Sequence, residues 1–283
     1  MTPASSGTGA LVSRDGLLVT NYHVIANNEG LHPLVMVGFC TSKKYDSDAS
    51  DTIFTAEIVS YIKEKDLALL KLKGTTSQSI NDYGEPYSIE NNIDNVLIGD
   101  DVHAIGNPQG ENCTYTRGFV SQIRDNYTWS YDNKREHTAN VIQTQTPINP
   151  GNSGGAMVDI NGNLIGINTM NVSIGGGSDG IGLAVPSNLV MKITKQLIEY
   201  GRVVRGYVGM SAYDTSEGIM ITKVLENGPA YKSGLRPKDI IISIDKTKIK
   251  DIQEVVKIVA SLEVDQEVTL TYKRKNQLND AII

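Results

Sequence analysis

A chain of 283 residues is long enough for about two domains, and its composition, 40% hydrophobic and 20% charged, is that of an ordinary globular protein. Lysine and arginine number 26 against 32 acids, for a net charge of -6. That balance removes the electrostatic case for nucleic acid, which selects basic faces.

The first two-thirds of the chain reads as β structure. GALVSRDGLLVT (9–20) places two apolar runs around Asp15-Gly16, a pair that accepts positive φ and so favours a hairpin. TAEIVSYIKEKDLALLKL (55–72) gives two more strands across a charged turn. AMVDINGNLIGINTM (156–170) repeats the pattern around Asn161-Gly162, and GIGLAVP (180–186) closes the series. Many short strands separated by Gly, Asn and Asp turns predict an antiparallel barrel or sandwich. The period then changes. In PSNLVMKITKQLIEYG, Leu189, Ile193 and Leu197 recur at helical spacing, with Ser187 expected as N-cap and Gly201 as the stop. This helix is expected to end a first domain, residues 1–201, with GRVVR as a short linker.

Residues 206–283 read as a separate, smaller α+β unit. GYVGMSAY, GIMITKVLE, DIIISID and VTLTYKRK are expected strands, and GPAYKSGL is a short helix ended by Gly234. In DIQEVVKIVASL, Asp251 caps a helix, Glu254 completes a capping-box-like pair, and Ile252, Val255, Val256 and Val259 form its buried stripe. The basic run YKRKN (272–276) is expected to be a solvated strand end or turn.

Cys40 and Cys113 have no C-x-x-C spacing and no histidine cluster beside them, which argues against zinc and leaves two free thiols as the expectation. No metal or cofactor is expected. No apolar run approaches the roughly 18 residues that span a bilayer, and MTPASSGTGA does not read as a signal peptide. The sequence alone therefore leaves two cases, a cytoplasmic protein or one whose export or anchor segment lies outside it.

The chemistry concentrates in PINPGNSGGA (147–156). A serine hydroxyl becomes a useful nucleophile only when a base takes its proton and an acid holds that base in the right tautomer. The oxyanion formed on attack needs N–H donors already in place. The glycines at 151, 154 and 155 let main-chain amides converge around Ser153, with Gly151 and Ser153 as the best donors. Four histidines are available. His32, His103 and His137 sit in unremarkable surroundings, whereas His23, in LLVTNYHVI, follows a strand where the chain leaves the sheet. For the acid, Asp66 directly precedes the apolar run LALLKL, with Asp100 and Asp101 as rivals in a turn.

The order His23, Asp66, Ser153 is one used by chymotrypsin-like enzymes. Together, TNYHVI, DLALLKL, AIGNP, INPGNSGG, LIGINTM and GIGLAVPSNL resemble the HtrA (Deg) family of serine proteases from about residue 8 to the end. The resemblance implies a mainly β fold, a chymotrypsin-like double β-barrel followed by a small PDZ domain. It puts the nucleophile at Ser153, the base at His23, the acid at Asp66 and the oxyanion hole at Gly151 and Ser153. It further implies an endopeptidase acting on unfolded or misfolded polypeptides in protein quality control, outside the cytoplasm, as a homotrimer. Little of the family's leading strand and aromatic trimer contacts precedes Gly9, so trimerisation is expected to be weakened or absent, although the family expectation remains a trimer.

Asn152 stands where digestive relatives carry an aspartate that pairs with a new N-terminal amine, so activation by propeptide cleavage is not expected. Ordering of the oxyanion loop is assigned instead to loops at 125–138 and 171–180. The family's Asp-Ala-Ala before INPGNSGG is replaced by Gln145, Thr146 and Pro147, which bears on resting activity. A substrate pocket walled by Ile167, Asn168 and Thr169, with Leu183 to Val185, is small or apolar and carries no buried acid. Cleavage after Val, Ala or Ile is therefore expected. GYVGM resembles the carboxylate-binding loop of PDZ domains, which implies that Tyr207, Val208, Gly209 and Met210 bind peptide C-termini beside the helix from Asp251. Two other classes use the same features: a binding or chaperone protein with silent chemistry, and an esterase with the same triad.

Overall fold

The computed structural model describes residues 6–39, 53–74, 80, 84–88, 95–107, 114–130, 136–171, 180–201, 206–262 and 266–283. They divide into two compact units, Met1–Val203 and Val204–Ile283. Cys40, Cys113 and the expected GRVVR linker, apart from Gly201, lie outside the described residues.

The first unit contains strands β1 (Ala10–Leu11), β2 (Leu17–Thr20), β3 (Ala26–Asn27), β4 (Gly30–Leu31), β5 (Val35–Gly38), β6 (Ile53–Ile62), β7 (Leu67–Leu72), β8 (Asp101–Gly106), β9 (Thr114–Ser130), β10 (Glu136–Thr144), β11 (Ala156–Val158), β12 (Leu164–Asn171) and β13 (Gly182–Pro186). An antiparallel sheet runs in the order β1-β2-β7-β6-β5, and β10-β13-β12-β11-β8-β9 close into a barrel. The predicted hairpins form as read: Ala10 faces Val19 across Asp15-Gly16, and Ala156 faces Ile167 across Asn161-Gly162.

Strand β7 shows why the two sheets come together. Successive side chains of a strand point to opposite faces, and LALLKL is apolar on both. Leu67 and Leu69 enter one core with Val19, Trp129, Val141, Ile167, Leu183 and Val185. Ala68, Leu70 and Leu72 enter a second with Leu11, Leu18 and Ile25. The first core is thus a seam shared by sheet and barrel, and each leucine sealed into it contributes about 2 kcal/mol. A third core fills the barrel with Val102, Val120, Ile142, Met157, Ile165 and Ala184.

The single turn α1 (Tyr22–Ile25) and the longer α2 (Ser187–Tyr200) also belong to this unit. The stop at Gly201 is as expected: it adopts φ 65° and its N–H donates to Leu197 O. The start differs. Pro186 is the N-cap, and Ser187 is already helical because the fixed φ of proline ends β13 and turns directly into the helix. A larger difference concerns residues 125–138, read as a loop. Asp125–Ser130 and Glu136–Thr138 are instead the ends of β9 and β10, paired Ser130↔Glu136, Trp129↔His137 and Thr128↔Thr138. The aromatic and β-branched content of NYTWS favours the pleated state.

The second unit holds β14 (Met210–Thr215), β15 (Gly218–Val224), β16 (Ile240–Ile244), β17 (Thr247–Lys248), β18 (Thr269–Arg274), β19 (Gln277–Ile282), α3 (Pro229–Lys232) and α4 (Ile252–Ser261). The sheet order is β14-β15-β16-β18-β19, with β17 beside β16, around a core of Ile219, Ile221, Ile241, Ile244, Val255, Leu270 and Tyr272. Asp251 caps α4 as predicted, accepting from Glu254 N at 2.8 Å, while Glu254 reaches back to Lys250 N at 2.7 Å. The basic run is a tight hairpin turn with Lys275 and Asn276 at positive φ. Two of its cations are paired, Lys273 with Glu217 and Arg274 with the buried Asp239.

Candidate active site

Three segments from different elements meet at the seam between sheet and barrel. A 3-10 turn, Lys63–Lys65, leads into β7, and Asp66 closes it in the left-handed region at φ 54° with its N–H on Lys63 O. Aspartate tolerates this conformation better than most residues. It turns the side chain from the strand line into the seam, where Asp66 is fully buried.

The carboxylate is well supplied with donors. Oδ1 accepts from His23 N at 3.0 Å, and Oδ2 from His23 Nδ1 at 2.8 Å and Thr169 Oγ1 at 2.8 Å. Burial by itself would push the Asp66 carboxyl up. The His23 imidazole and these hydrogen bonds, with His137 nearby, outweigh it and hold the group below the ordinary carboxylate value. His23 rides on α1, which begins where β2 ends, and the Asn21 side chain donates to Asp66 O at 2.9 Å. The imidazole remains 18% exposed, so its Nδ1 edge is spoken for while the ring still reaches the surface.

Ser153 lies in the turn between β10 and β11, half-buried, its Oγ donating to Thr169 O at 3.1 Å. Thr169 therefore touches both Ser153 and Asp66. It can do so because the β12–β13 register shifts between Asn168 and Met170, a bulge that releases Thr169 from the ladder. Gly154 is required by space and by conformation: its φ is 84°, and a Cβ there would overlap Thr8 O and Thr20 Oγ1. This close approach brings the Ser153 turn against the strand end that carries His23. Asn149–Asn152 forms a turn closed by Asn152 N to Asn149 O at 2.9 Å. With Pro150 at its second position and Gly151 at φ 104°, the turn is type II. Among the described residues, neither Gly151 N–H nor Ser153 N–H donates to a protein acceptor.

In the second unit, β14 is the terminal strand of its sheet and α4 packs beside it. The preceding loop is held from behind, Val208 O by Ala230 N at 2.9 Å and Gly209 O by Leu225 N at 2.8 Å. Gly209 has φ 76°, Tyr207 is exposed, and Met210 begins β14.

Residues 7–167 match the trypsin-like peptidase domain, and residues 206–283 the PDZ domain. The chain is 34% identical over 284 residues to a probable periplasmic serine endoprotease, DegP-like, of Rickettsia prowazekii, covering 96% of this chain and 51% of the relative. The corresponding protein of Chlamydia trachomatis is 32% identical, with 97% and 52% covered. Among solved structures, the HtrA-type protease AlgW with a decapeptide superposes with a TM-score of 0.70 at 32% identity, covering 98% of this chain and 81% of that one. The chain belongs to the HtrA family of serine proteases. It spans about half the length of the curated relatives it matches.

Within this HtrA fold, His23 and Asp66 are directly bonded, and Ser153 joins them through Thr169. The rival acids are engaged elsewhere, Asp100 with Leu97 N and Asp101 with Arg117. The expected pocket walls carry little free side chain. Ile167 is in the seam core, Asn168 Nδ2 donates to Ala156 O at 3.0 Å, and Thr169 Oγ1 is on Asp66. Most of the 171–180 segment lies outside the described residues.

Two residues around the site went unrecognised in the sequence. His137, dismissed as part of a charged stretch, is buried against Trp129, and its Nδ1–H donates to Lys63 O at 2.7 Å, the same oxygen that receives Asp66 N–H. Lys65 Nζ adds a bond to Thr138 O at 2.6 Å, so β10 supports the turn that carries the acid. Thr8 is the other; its only sequence signal is its position between two glycines ahead of the first hairpin.

Proposed function

We propose that this chain is a serine endopeptidase that hydrolyses unfolded or misfolded polypeptides through an acyl-enzyme, with a PDZ unit that binds polypeptide C-termini and regulates the protease. The observation that carries the reading is the hydrogen-bonded path from His23 Nδ1 through Asp66 Oδ2 and Thr169 to Ser153 Oγ. With Nδ1–H committed to Asp66, His23 Nε2 is the basic nitrogen. It takes the Ser153 proton as Oγ attacks the peptide carbonyl, and the carbonyl oxygen becomes an oxyanion facing Gly151 N–H and Ser153 N–H. His23 then protonates the leaving amine, and water enters by the reverse sequence to release the acid.

The replaced segment Gln145-Thr146-Pro147 supports an ordered resting loop. Gln145 N donates to Phe119 O at 3.1 Å, Thr146 is buried on Thr144 Oγ1, and Pro147 O accepts from Thr116 Oγ1 at 3.1 Å. Cleavage after Val, Ala or Ile is the specificity we assign, since the segments at 167–169 and 183–185 carry no acid to hold Lys or Arg. The periplasmic naming of relatives supports an extracytoplasmic site of action, and the family resemblance supports assembly as a homotrimer. Among the described residues, no helix is long and apolar enough to cross a membrane.

The deciding experiment is casein digestion by the wild type and by Ser153→Ala, with fluorophosphonate labelling alongside. The variant is expected to lose about six orders of magnitude in turnover, since triad members act as a unit. Labelling without casein digestion selects an esterase, absence of labelling selects a silent binding protein, and retained digestion by the variant removes Ser153 from the mechanism.

A further inference from the structure

An oxyanion hole made of main-chain amides works only if the peptide planes around it are fixed before substrate arrives. Asn152 cannot form the ion pair that an aspartate would supply there, and its Oδ1 is buried without a hydrogen-bond partner among the described residues. Some other group must hold the turn.

Thr8 has the required bonds. Its hydroxyl lies 2.6 Å from Gly151 O and 3.0 Å from Asn107 N. The Asn107 amide can only donate and the Gly151 carbonyl can only accept, so the polarity is fixed: Asn107 N–H to Thr8 Oγ1, and Thr8 Oγ1–H to Gly151 O. The backbone of Thr8 adds a second grip, its N–H donating to Ser153 O at 2.9 Å. Thr8 is itself anchored, its carbonyl accepting from Thr20 Oγ1 at 2.6 Å. The peptide between Gly151 and Asn152 is thus held on both edges, by Thr8 on the carbonyl and by Asn149 O on the N–H. The peptide after Ser153 is held likewise, by Thr8 N–H and by Gly154 N–H on Asn168 O at 2.7 Å. Between and before these fixed planes lie the two amides without a protein acceptor, those of Gly151 and Ser153.

The AIGNP motif also finds a role here. Gly106 backs directly onto Asn152, where a Cβ would overlap its side chain, and Asn107 supplies the amide that sets the Thr8 hydroxyl. We propose that the Thr8 hydroxyl, oriented by Asn107 N–H, is a positioning group for the oxyanion hole, replacing an ion pair with a neutral relay. This inference rests on the assignment of Ser153 as nucleophile.

The test compares wild type, Thr8→Val, Thr8→Ser and Ser153→Ala in the full chain, using a short chromogenic peptide and a peptide aldehyde of the same sequence. On aldehyde binding, Ser153 Oγ bonds to the carbonyl carbon, the C=O π pair moves onto oxygen, and the serine proton passes to His23. The aldehyde oxygen therefore reports on the hole, while KM reports on ground-state binding. Thr8→Val is expected to lower kcat by about tenfold to hundredfold with KM within about twofold, and to weaken the aldehyde by a similar factor. Thr8→Ser, which keeps the hydroxyl, is expected to recover most of the loss. Wild-type kcat in Thr8→Val, a loss confined to KM, or no recovery in Thr8→Ser overturns the inference while an inactive Ser153→Ala leaves the protease reading in place. An active Ser153→Ala overturns both.

Discussion

Asp66 has no solvent contact, so its charge depends wholly on what the fold supplies. Thr169 provides one of its donors from 103 residues away in the sequence, across the β12 bulge. Replacing Thr169 by Val keeps the shape and removes the hydroxyl, which is expected to cost about 1–3 kcal/mol at pH 7. The pH dependence follows from the depressed Asp66 value. A carboxyl held below its unfolded value of about 3.9 contributes stability that is present above that pH and lost as pH falls through the folded value. In Thr169→Val the folded value rises toward the unfolded one and this contribution shrinks, so wild type and variant should differ at pH 7, and the difference should fade only as pH drops below about 4 and through the folded Asp66 value. Urea unfolding at pH 7 and at a series of lower pH values descending through the folded Asp66 value measures this, and a difference that stays constant throughout would show that Thr169 acts through packing. Such pairings explain which residues could be read beforehand. Asp66 announces itself as an acid placed before an apolar strand, and His23 by leaving a strand end. Nothing local marks the bonds that Thr169, His137 and Thr8 make, because their partners are set by register and by a bulge.

At the scale of elements, alternation and turn chemistry carried most of the information. The Asp-Gly and Asn-Gly hairpins, the α4 cap and the Gly201 stop all follow from rules acting within a few residues. Residues 125–130 and 136–138 did not, since they read as loop in the sequence while cross-strand pairing between β9 and β10 makes them strand ends. The same scale governs the PDZ unit. Strand β14 ends its sheet, leaving one edge for an added strand, and the loop at 207–210 is pinned from behind through Val208 O and Gly209 O. A loop whose carbonyls are tied back can present its N–H groups forward to a carboxylate. Peptides with a free C-terminus are therefore expected to bind at least about tenfold more tightly than the same peptides amidated, a loss of about 1.4 kcal/mol or more. Equal affinities in a fluorescence-anisotropy titration would remove carboxylate capture from this loop.

Over the whole molecule, the described cores separate cleanly. Every residue of the seam, sheet and barrel cores lies before residue 203, and every residue of the fourth core lies after 204. A hydrophobic core is the cooperative unit of unfolding, so two sets with no shared member are expected to melt as two transitions. Leu270 offers a selective probe. It is 2% exposed on β18, between β16 and β19 in the fourth core. Leu270→Ala is expected to cost about 3 kcal/mol, which in a unit of this size lowers the melting temperature by roughly 10–20 °C. Leu270 is not a member of the first unit's described cores, so that unit's transition and its hydrolysis of a short peptide are expected to stay where they are. Scanning calorimetry read together with peptide hydrolysis at each temperature separates the cases. If one transition moves as a whole and takes hydrolysis with it, the two cores are coupled through contacts beyond those that define them.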